Sequence, residues 1–556
     1  MNLIITHATL LIKYILLFGY FYFSGRSFLE FVRRYFLNNK KILQTLHVKK
    51  TIIYPLVGIV FIGNLLIIVH FIFPLKSIFV LAILIIALSG NLFNLEPMYK
   101  ISFDAFNLLY YVVIPSILIF SAYDTSWHYD AGFYHLNHQN WLRESNMIFG
   151  TVNISWTFGM SSVYEYISSV LWIDKSFILI HFFTLIFIQT FYIYLIENIR
   201  NPLNIIVKNI SILLILYSLL DNFGLNGGRN GFLYIQGVAK QDMAVAIIVL
   251  IISISSVMII KSRNIDNLDI LLLSILVLFA IQIKISSAMI LYPSLLSVLI
   301  LLKKNILKPR NLFFSLIPST IFFLTWILKN YMTTGCFIFP VSFTCINNFD
   351  WYIHESTKDY ESISTTASYS LIDYLYDNKS LQNWFSDFIS FEINRIVTIN
   401  FLISFVIIFL LKFIFTNKEK IDSTTNFSIY SYLVLYTFYL LLFGPIPRYL
   451  TGLLIVSIAF LGINIKSFKI NINNIVLYSL AVVSLLTIVR FSSYSSFFDG
   501  ANLALFDPVG IAEYFEYNNG WVRPDIGDQC WINLDCTMDR LTPNIIKSGY
   551  FNTAYK

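Results

Sequence analysis

The sequence predicts an all-α polytopic membrane protein of about 14 (12–14) transmembrane helices, with long folded outer loops and an outer C-terminal tail. Three observations predict it. Of the 556 residues, 57% are apolar and only 12% charged, where an average soluble domain carries about a quarter charged residues. The mean hydropathy is +0.71. Apolar stretches long enough to cross a bilayer, about 20 residues, recur down the whole chain. The same composition excludes a disordered chain, a collagen-like repeat and a disulfide-dense secreted module.

The first two stretches are residues 4–24 and 51–73. Further candidates lie near 77–94, 107–123, 177–196, 209–223, 243–260, 269–287, 289–302, 311–330, 396–415, 427–446, 449–465 and 474–490. The first reads as a span, not a cleaved signal peptide. It has no charged leading segment, Lys13 interrupts its apolar run, and no A-x-A site follows.

Charge sorts the connecting loops into two kinds. Those on one side hold 21 Lys and Arg against 8 Asp and Glu; the alternate loops hold 17 against 23. Basic loops face the cytoplasm, so both the N-terminus and the C-terminus are expected on the outer side of the membrane. The net charge of +7 is then mostly an orientation signal. No basic patch with interleaved aromatics suggests a nucleic-acid partner.

The expected organisation is N-terminal helices over 1–123 with a cytoplasmic basic loop at 25–50, then a first outer loop at 124–176. A central bundle follows at 177–330, a large outer loop at 331–395, C-terminal helices at 396–490 and an outer tail at 491–556. The long outer segments are rich in Trp, Tyr and acidic residues. Long loops are usually functional or disordered, and this composition favours folded ones that carry the chemistry.

All four cysteines fall in outer segments: Cys336 and Cys345, then Cys530 and Cys536. Two short-range disulfides in an oxidising space are the expectation, against the alternative of four free thiols. Neither spacing is the C-x₂₋₄-C of a zinc knuckle.

The segment 123–162 is the densest in chemistry. It gathers Asp124, His128, Asp130, His135, His138, Arg143 and Glu144. Read as a helix from Asp130, it puts Asp130, Tyr134, Asn137 and Trp141 on one face and His135, His138 and Leu142 on a neighbouring one. Such a helix would lie at the interface with its aromatics toward the headgroups. Carboxylates held there can accept a proton from a sugar hydroxyl or hold a divalent cation (Mg or Mn) against a phosphate. The plainer alternative is an aromatic interfacial belt with wetted histidines. A structural metal on His135-x-x-His138 lacks the H-E-x-x-H pattern.

Residues 224–248 contain several glycines with Arg229 and Lys240, then Asp242 where a span begins. Exposed backbone N–H groups in such a segment form an anion-binding nest; a hairpin with a capping Asp is the alternative. Lys284 sits in an apolar segment with Gln282, Ser286 and Ser287 around it. A lysine there costs about 2.5–3.5 kcal/mol on insertion scales, so it either holds a lipid phosphate or snorkels to the interface. Arg448, beside two prolines, is similar. Asp350, Trp351 and His354 form an acidic and aromatic group suited to a sugar ring, or to simple loop packing.

Taken together these motifs have an order. Asp130, Tyr134 and His135 form D-x₃-YH, followed by Trp141 and Glu144, then Gly150 and Asn153, then Gly159 and Ser161. Asp242 opens a span, and Lys284 and Ser286 follow. Trp326, Asn330, Gly335 and Pro340 precede Phe349, Asp350 and Trp351. The turn Pro445, Pro447, Arg448, Tyr449 and the tail Cys530, Trp531, Cys536, Thr537 complete the set. From about residue 124 onward the chain resembles a bacterial polytopic membrane-protein family of surface-polysaccharide gene clusters, itself similar to the GT-C superfamily of membrane glycosyltransferases. Two departures stand out. The acid follows the fourth span where GT-C enzymes place it after the first, and Asp535 replaces the family's Pro.

The resemblance implies a GT-C-like fold and a polyprenyl-phosphate or polyprenyl-diphosphate sugar donor handled at the outer face, with a glycan or lipid-glycan acceptor. It implies Asp130 as general base or metal ligand, with His135 and Glu144 as further catalytic candidates. Lys284 and Arg448 become phosphate ligands, with Lys240, Asp242 and Arg229 as supporting substrate contacts and Asp350 and Trp351 toward the acceptor. An O-antigen or capsule polymerase or ligase is the nearest alternative. A flippase or secondary transporter is the other, and it predicts inverted repeats and mid-span charges that the sequence does not show.

Overall fold

The computed structural model describes residues 2–37, 50–93, 105–122, 127, 129–173, 176–202, 204–220, 241–262, 265–366, 369–376, 380–418, 422–468, 510, 512–518, 520–539, 542–548 and 550–555. Over these the chain is predominantly helical. Eight helices are long and apolar enough to cross a membrane by length and composition. Backbone groups in hydrocarbon have no water to bond, and a helix satisfies them within its own segment. Long apolar helices of this kind mark a membrane-associated protein.

The eight are Ile5–Phe36, Ile52–His70, Ile178–Arg200, Asp242–Lys261, Ile285–Lys303, Pro309–Thr334, Glu392–Ile414 and Ser423–Phe443. Five shorter apolar helices, Ile78–Leu92, Ala105–Ile119, Ile205–Ser218, Asn267–Ile283 and Pro447–Leu461, fall where further spans were expected. The expected span at 474–490 lies outside the described residues. Burial grades the helices from centre to rim. Asp242–Lys261 is fully buried over its apolar window, whereas Glu392–Ile414 is 11% buried there and runs along the outside.

The expected loop at 25–50 begins later than the charge pattern suggested. The first helix continues through Arg26 to Val32 and then winds more widely to Leu37. Phe28, Leu29 and Val32 remain on the buried face, and Glu30 pairs with Arg33. Burial and pairing together outweigh the local cluster of positive charge. The first helix also lies close against Lys50–His70. A Cβ on Gly58 would come within 1.8 Å of the Phe21 carbonyl oxygen, so only glycine permits this contact.

Near one end of the bundle, three sequence-distant segments fold together. Ile148–Phe149 pairs in parallel with Phe551–Tyr555, which pairs antiparallel with Asn544–Ser548. A second hairpin joins Tyr514–Asn518 to Trp521–Pro524. Asn153 donates to the carbonyls of Trp351 and Ala554, both at 2.9 Å. One buried amide thus joins the first long loop, the second loop and the tail. Both expected disulfides are present, Cys336–Cys345 and Cys530–Cys536.

The helix expected from Asp130 is only partly regular. The Leu136 N–H reaches back five residues to the Ala131 carbonyl, and a regular helix follows over Leu136–Glu144. It is not an interfacial helix with an exposed aromatic face. Leu136, Asn137, His138, Gln139, Leu142 and Arg143 are all buried. The tail covers it: Trp531 N–H bonds the Gly132 carbonyl at 2.8 Å, and Asn140 donates to the Ile532 carbonyl at 2.8 Å.

Candidate functional site

Helix ends and loops enclose a cavity of about 550 Å³. Its position follows from where regular helix stops. Asn267–Ile283 ends at Lys284, whose backbone is extended at φ −156° and ψ 123°, before the chain turns into the next helix. Asp242 starts its own helix, and Pro447 starts the Pro447–Leu461 helix, a position where a missing N–H does no harm. Lys284, Asp242 and Arg448 therefore all reach the same space.

Two ion pairs stand on its wall. Lys284 Nζ donates to Asp242 Oδ1. Arg448 Nη1 donates to Asp130 Oδ2 at 3.4 Å. The Tyr449 ring organises both cations: Lys284 Nζ lies 4.0 Å from its centroid and Arg448 Cζ 5.3 Å. Cations over an aromatic face gain about 0.5–2 kcal/mol. Tyr134, beside Asp130, also borders the cavity. Burial, Asp130 and Glu165 raise its phenol well above the usual range, so it remains a neutral hydroxyl.

Of the residues singled out in the sequence, Asp130, His135, Asp242, Lys284 and Arg448 converge here. Three do not. Glu144 is exposed and bonds Lys76 Nζ at 3.0 Å, away from the cavity. Asp350 lies in an exposed turn. Trp351 does not face an acceptor: it is 4% exposed, stacked on Phe349 and packed with Val152 and Cys336. Its F-D-W motif is a packing motif, because a large flat ring there fills the seam between two loops. Asp124, His128, Arg229 and Lys240 lie outside the described residues.

Several residues were not singled out in the sequence. Glu361, from the His354–Thr366 helix, borders the cavity and accepts from the Ser342 N–H at 3.2 Å. Lys329 is 1% exposed within its apolar helix. Its ammonium donates to the Ser161 carbonyl at 2.8 Å and to Asn330 Oδ1 at 3.0 Å. The rule that flagged Lys284, a lysine inside an apolar span, would have flagged it too. Glu165, in VYEYISSV, is buried and bonds both His135 and His138.

Among the described residues no three His, Cys, Asp or Glu gather at metal-ligand positions, and Asp130 and Asp242 each already face a cation. What the arrangement offers is two positive charges fixed beside carboxylates and aromatic faces. That suits an anionic group carried on a larger, partly apolar molecule.

No curated protein and no solved structure matches the chain. The family described as a domain of unknown function (DUF8201) matches residues 8–455, a stretch that holds every residue bordering the cavity, and the chain belongs to that family.

Proposed function

We propose that the protein is a membrane glycosyltransferase of surface-polysaccharide synthesis, taking its sugar from a polyprenyl-phosphate or polyprenyl-diphosphate donor. In this reading about 14 spans form a GT-C-like bundle in a bacterial inner membrane, with the cavity and both termini at the outer face. The convergence of Lys284 and Arg448 on one aromatic ring, inside a cavity that also holds the carboxylates of Asp130, Asp242 and Glu361, carries the reading. The two cations hold the donor phosphate as charge builds on it during departure. Aromatic faces of Tyr134, Trp326 and Tyr439 flank the sugar, and the acceptor hydroxyl attacks the anomeric carbon. In this reading Asp130 and His135 are the candidates among the cavity groups for taking the hydroxyl's proton.

Deleting the gene and comparing the surface glycans by gel and mass spectrometry tests this. The expected result is a polysaccharide that lacks a residue or a linkage, restored by the wild-type gene. A shortened ladder of intact repeat units would move the reading to a polymerase. An unchanged length and composition would remove the transferase reading.

A further inference from the structure

Behind the cavity wall, one carboxylate bridges two imidazoles. Glu165 Oε1 accepts from His135 Nδ1, and its Oε2 accepts from His138 Nδ1 at 2.9 Å. All three side chains are buried, at 3%, 6% and 2% exposure. Of the trio, only His135 borders the large cavity. His138 borders a small second cavity beside His70, Tyr166 and Lys329.

The pattern fixes protons. Burial by itself would raise the Glu165 carboxyl, but the two imidazoles outweigh burial and hold it below the usual carboxylate range. An ionised carboxylate only accepts, so each imidazole presents N–H at Nδ1. In the neutral ring the lone pair then sits on Nε2. A buried carboxylate that sets the tautomer and angle of a neighbouring imidazole is a general device for proton transfer. Asp130, by contrast, already shares its charge with Arg448.

We propose that His135 is the base that takes the acceptor hydroxyl's proton, with Glu165 as its positioning residue and His138 securing the second carboxylate oxygen. This rests on the glycosyl-transfer reading. The hydroxyl O–H bond breaks and its proton moves to His135 Nε2. The oxygen's electron pair forms the new bond to the anomeric carbon. The bond from that carbon to the phosphate oxygen breaks, and its electron pair leaves with the lipid phosphate, beside Lys284 and Arg448. The imidazolium returns its proton to water in the cavity. The charged and titratable groups facing Glu165 are His135 and His138 from its own loop, Tyr134 and Tyr166 beside them, and Lys329 from the Pro309–Thr334 helix. His70 faces His138 on the far side.

The test uses membrane vesicles from the deletion strain carrying the full chain or its variants, with the strain's own extracted lipid-linked glycans as donor. Transfer is followed from pH 5.5 to 9. His135→Gln is expected to lower turnover at least 100-fold. Glu165→Gln, whose amide imposes the wrong tautomer on one ring, should lower kcat by a similar factor, leave KM for the donor within twofold, and displace the rising limb of the pH profile. Glu165→Asp should recover part of the rate. Asp130→Asn should retain more turnover than His135→Gln. Protease resistance of each variant in detergent checks the fold. A folded His135→Gln variant at wild-type rate, or a Glu165→Gln variant with an unmoved profile, overturns the proposal. Loss in Asp130→Asn with full activity in His135→Gln does the same. Absence of transfer by the wild-type protein instead defeats the underlying glycosyl-transfer reading.

Discussion

Asp242 and Lys284 meet as an ion pair at the cavity wall, one at the first turn of its helix and the other at the break that ends its own. The Asp242 side chain is 10% exposed and that of Lys284 23%. Removing one partner of a buried pair costs about 3–5 kcal/mol, because the other charge loses much of its compensation. The partial exposure of the lysine reduces this to roughly 2 kcal/mol. Lys284→Met should therefore melt earlier than wild type in detergent, and adding Asp242→Asn should restore most of the loss. Neither variant should transfer sugar. A double variant no more stable than Lys284→Met would show that the Asp242 carboxylate, deprived of its lysine, is not the source of the instability.

Arg448 offers a planar fork toward Asp130 and a face toward Tyr449. Lysine keeps the charge but loses both features. Arg448→Lys should fold with stability within about 1 kcal/mol of wild type, since the pair is partly exposed. Its transfer rate should fall about 10- to 100-fold, and that of Arg448→Ala further, as expected when a group stabilising developing charge is removed. Vesicle assays at saturating donor measure this. Wild-type turnover in Arg448→Ala would take the leaving phosphate away from this residue.

Asn153 supports the site without touching it. Both hydrogens of its amide are committed, one to Trp351 and one to Ala554. Asn153→Ala leaves two buried carbonyls without a donor, a loss of roughly 2–4 kcal/mol. Asn153→Asp should be no better, because an ionised carboxylate cannot donate. The expected outcome is protease cleavage near the C-terminal tail under conditions where wild type resists. Equal resistance in both variants would mean that the tail is anchored elsewhere.

Much of this architecture is legible in the sequence because helices in an apolar medium are written as length and hydropathy. Lys284 and Arg448 stood out for the same reason: a cation amid apolar residues is costly unless it meets a partner. What the sequence did not reveal is which loop residues support and which face the cavity. Glu144, Asp350 and Trp351 share the composition of a sugar site, yet only tertiary contacts decide that Trp351 packs under Asn153 and Glu144 meets Lys76. Glu165 was hidden for a related reason. Its role depends on a tertiary contact: His135 and His138 share a helix face by spacing, but only the fold sets the Glu165 carboxylate against both rings.

The Cys336–Cys345 bridge encloses Phe339, Pro340 and Val341, all on the cavity wall. Closing so short a loop stabilises by about 2–3 kcal/mol through the unfolded chain. Cys336→Ser with Cys345→Ser should lower the melting temperature and raise KM for the lipid-linked donor, since the freed wall shapes the cavity. Treating the wild-type protein with a reductant should reproduce both effects. A variant with lower stability but unchanged KM would limit the bridge to a structural role.

Glu165 also makes stability depend on acid. Its carboxyl is held below the usual range in the folded protein, so the unfolded chain takes up the proton first as pH falls. The stabilisation is complete above about pH 4.3, the ordinary value for an unfolded Glu, and is lost as pH drops toward the folded value. Melting temperatures measured from pH 7 to pH 3 should therefore decline below about pH 4.3. Glu165→Gln, less stable at pH 7, should decline less steeply over the same window, because its amide takes up no proton. Parallel curves for the two proteins would mean that His135 and His138 place no net electrostatic demand on this carboxylate.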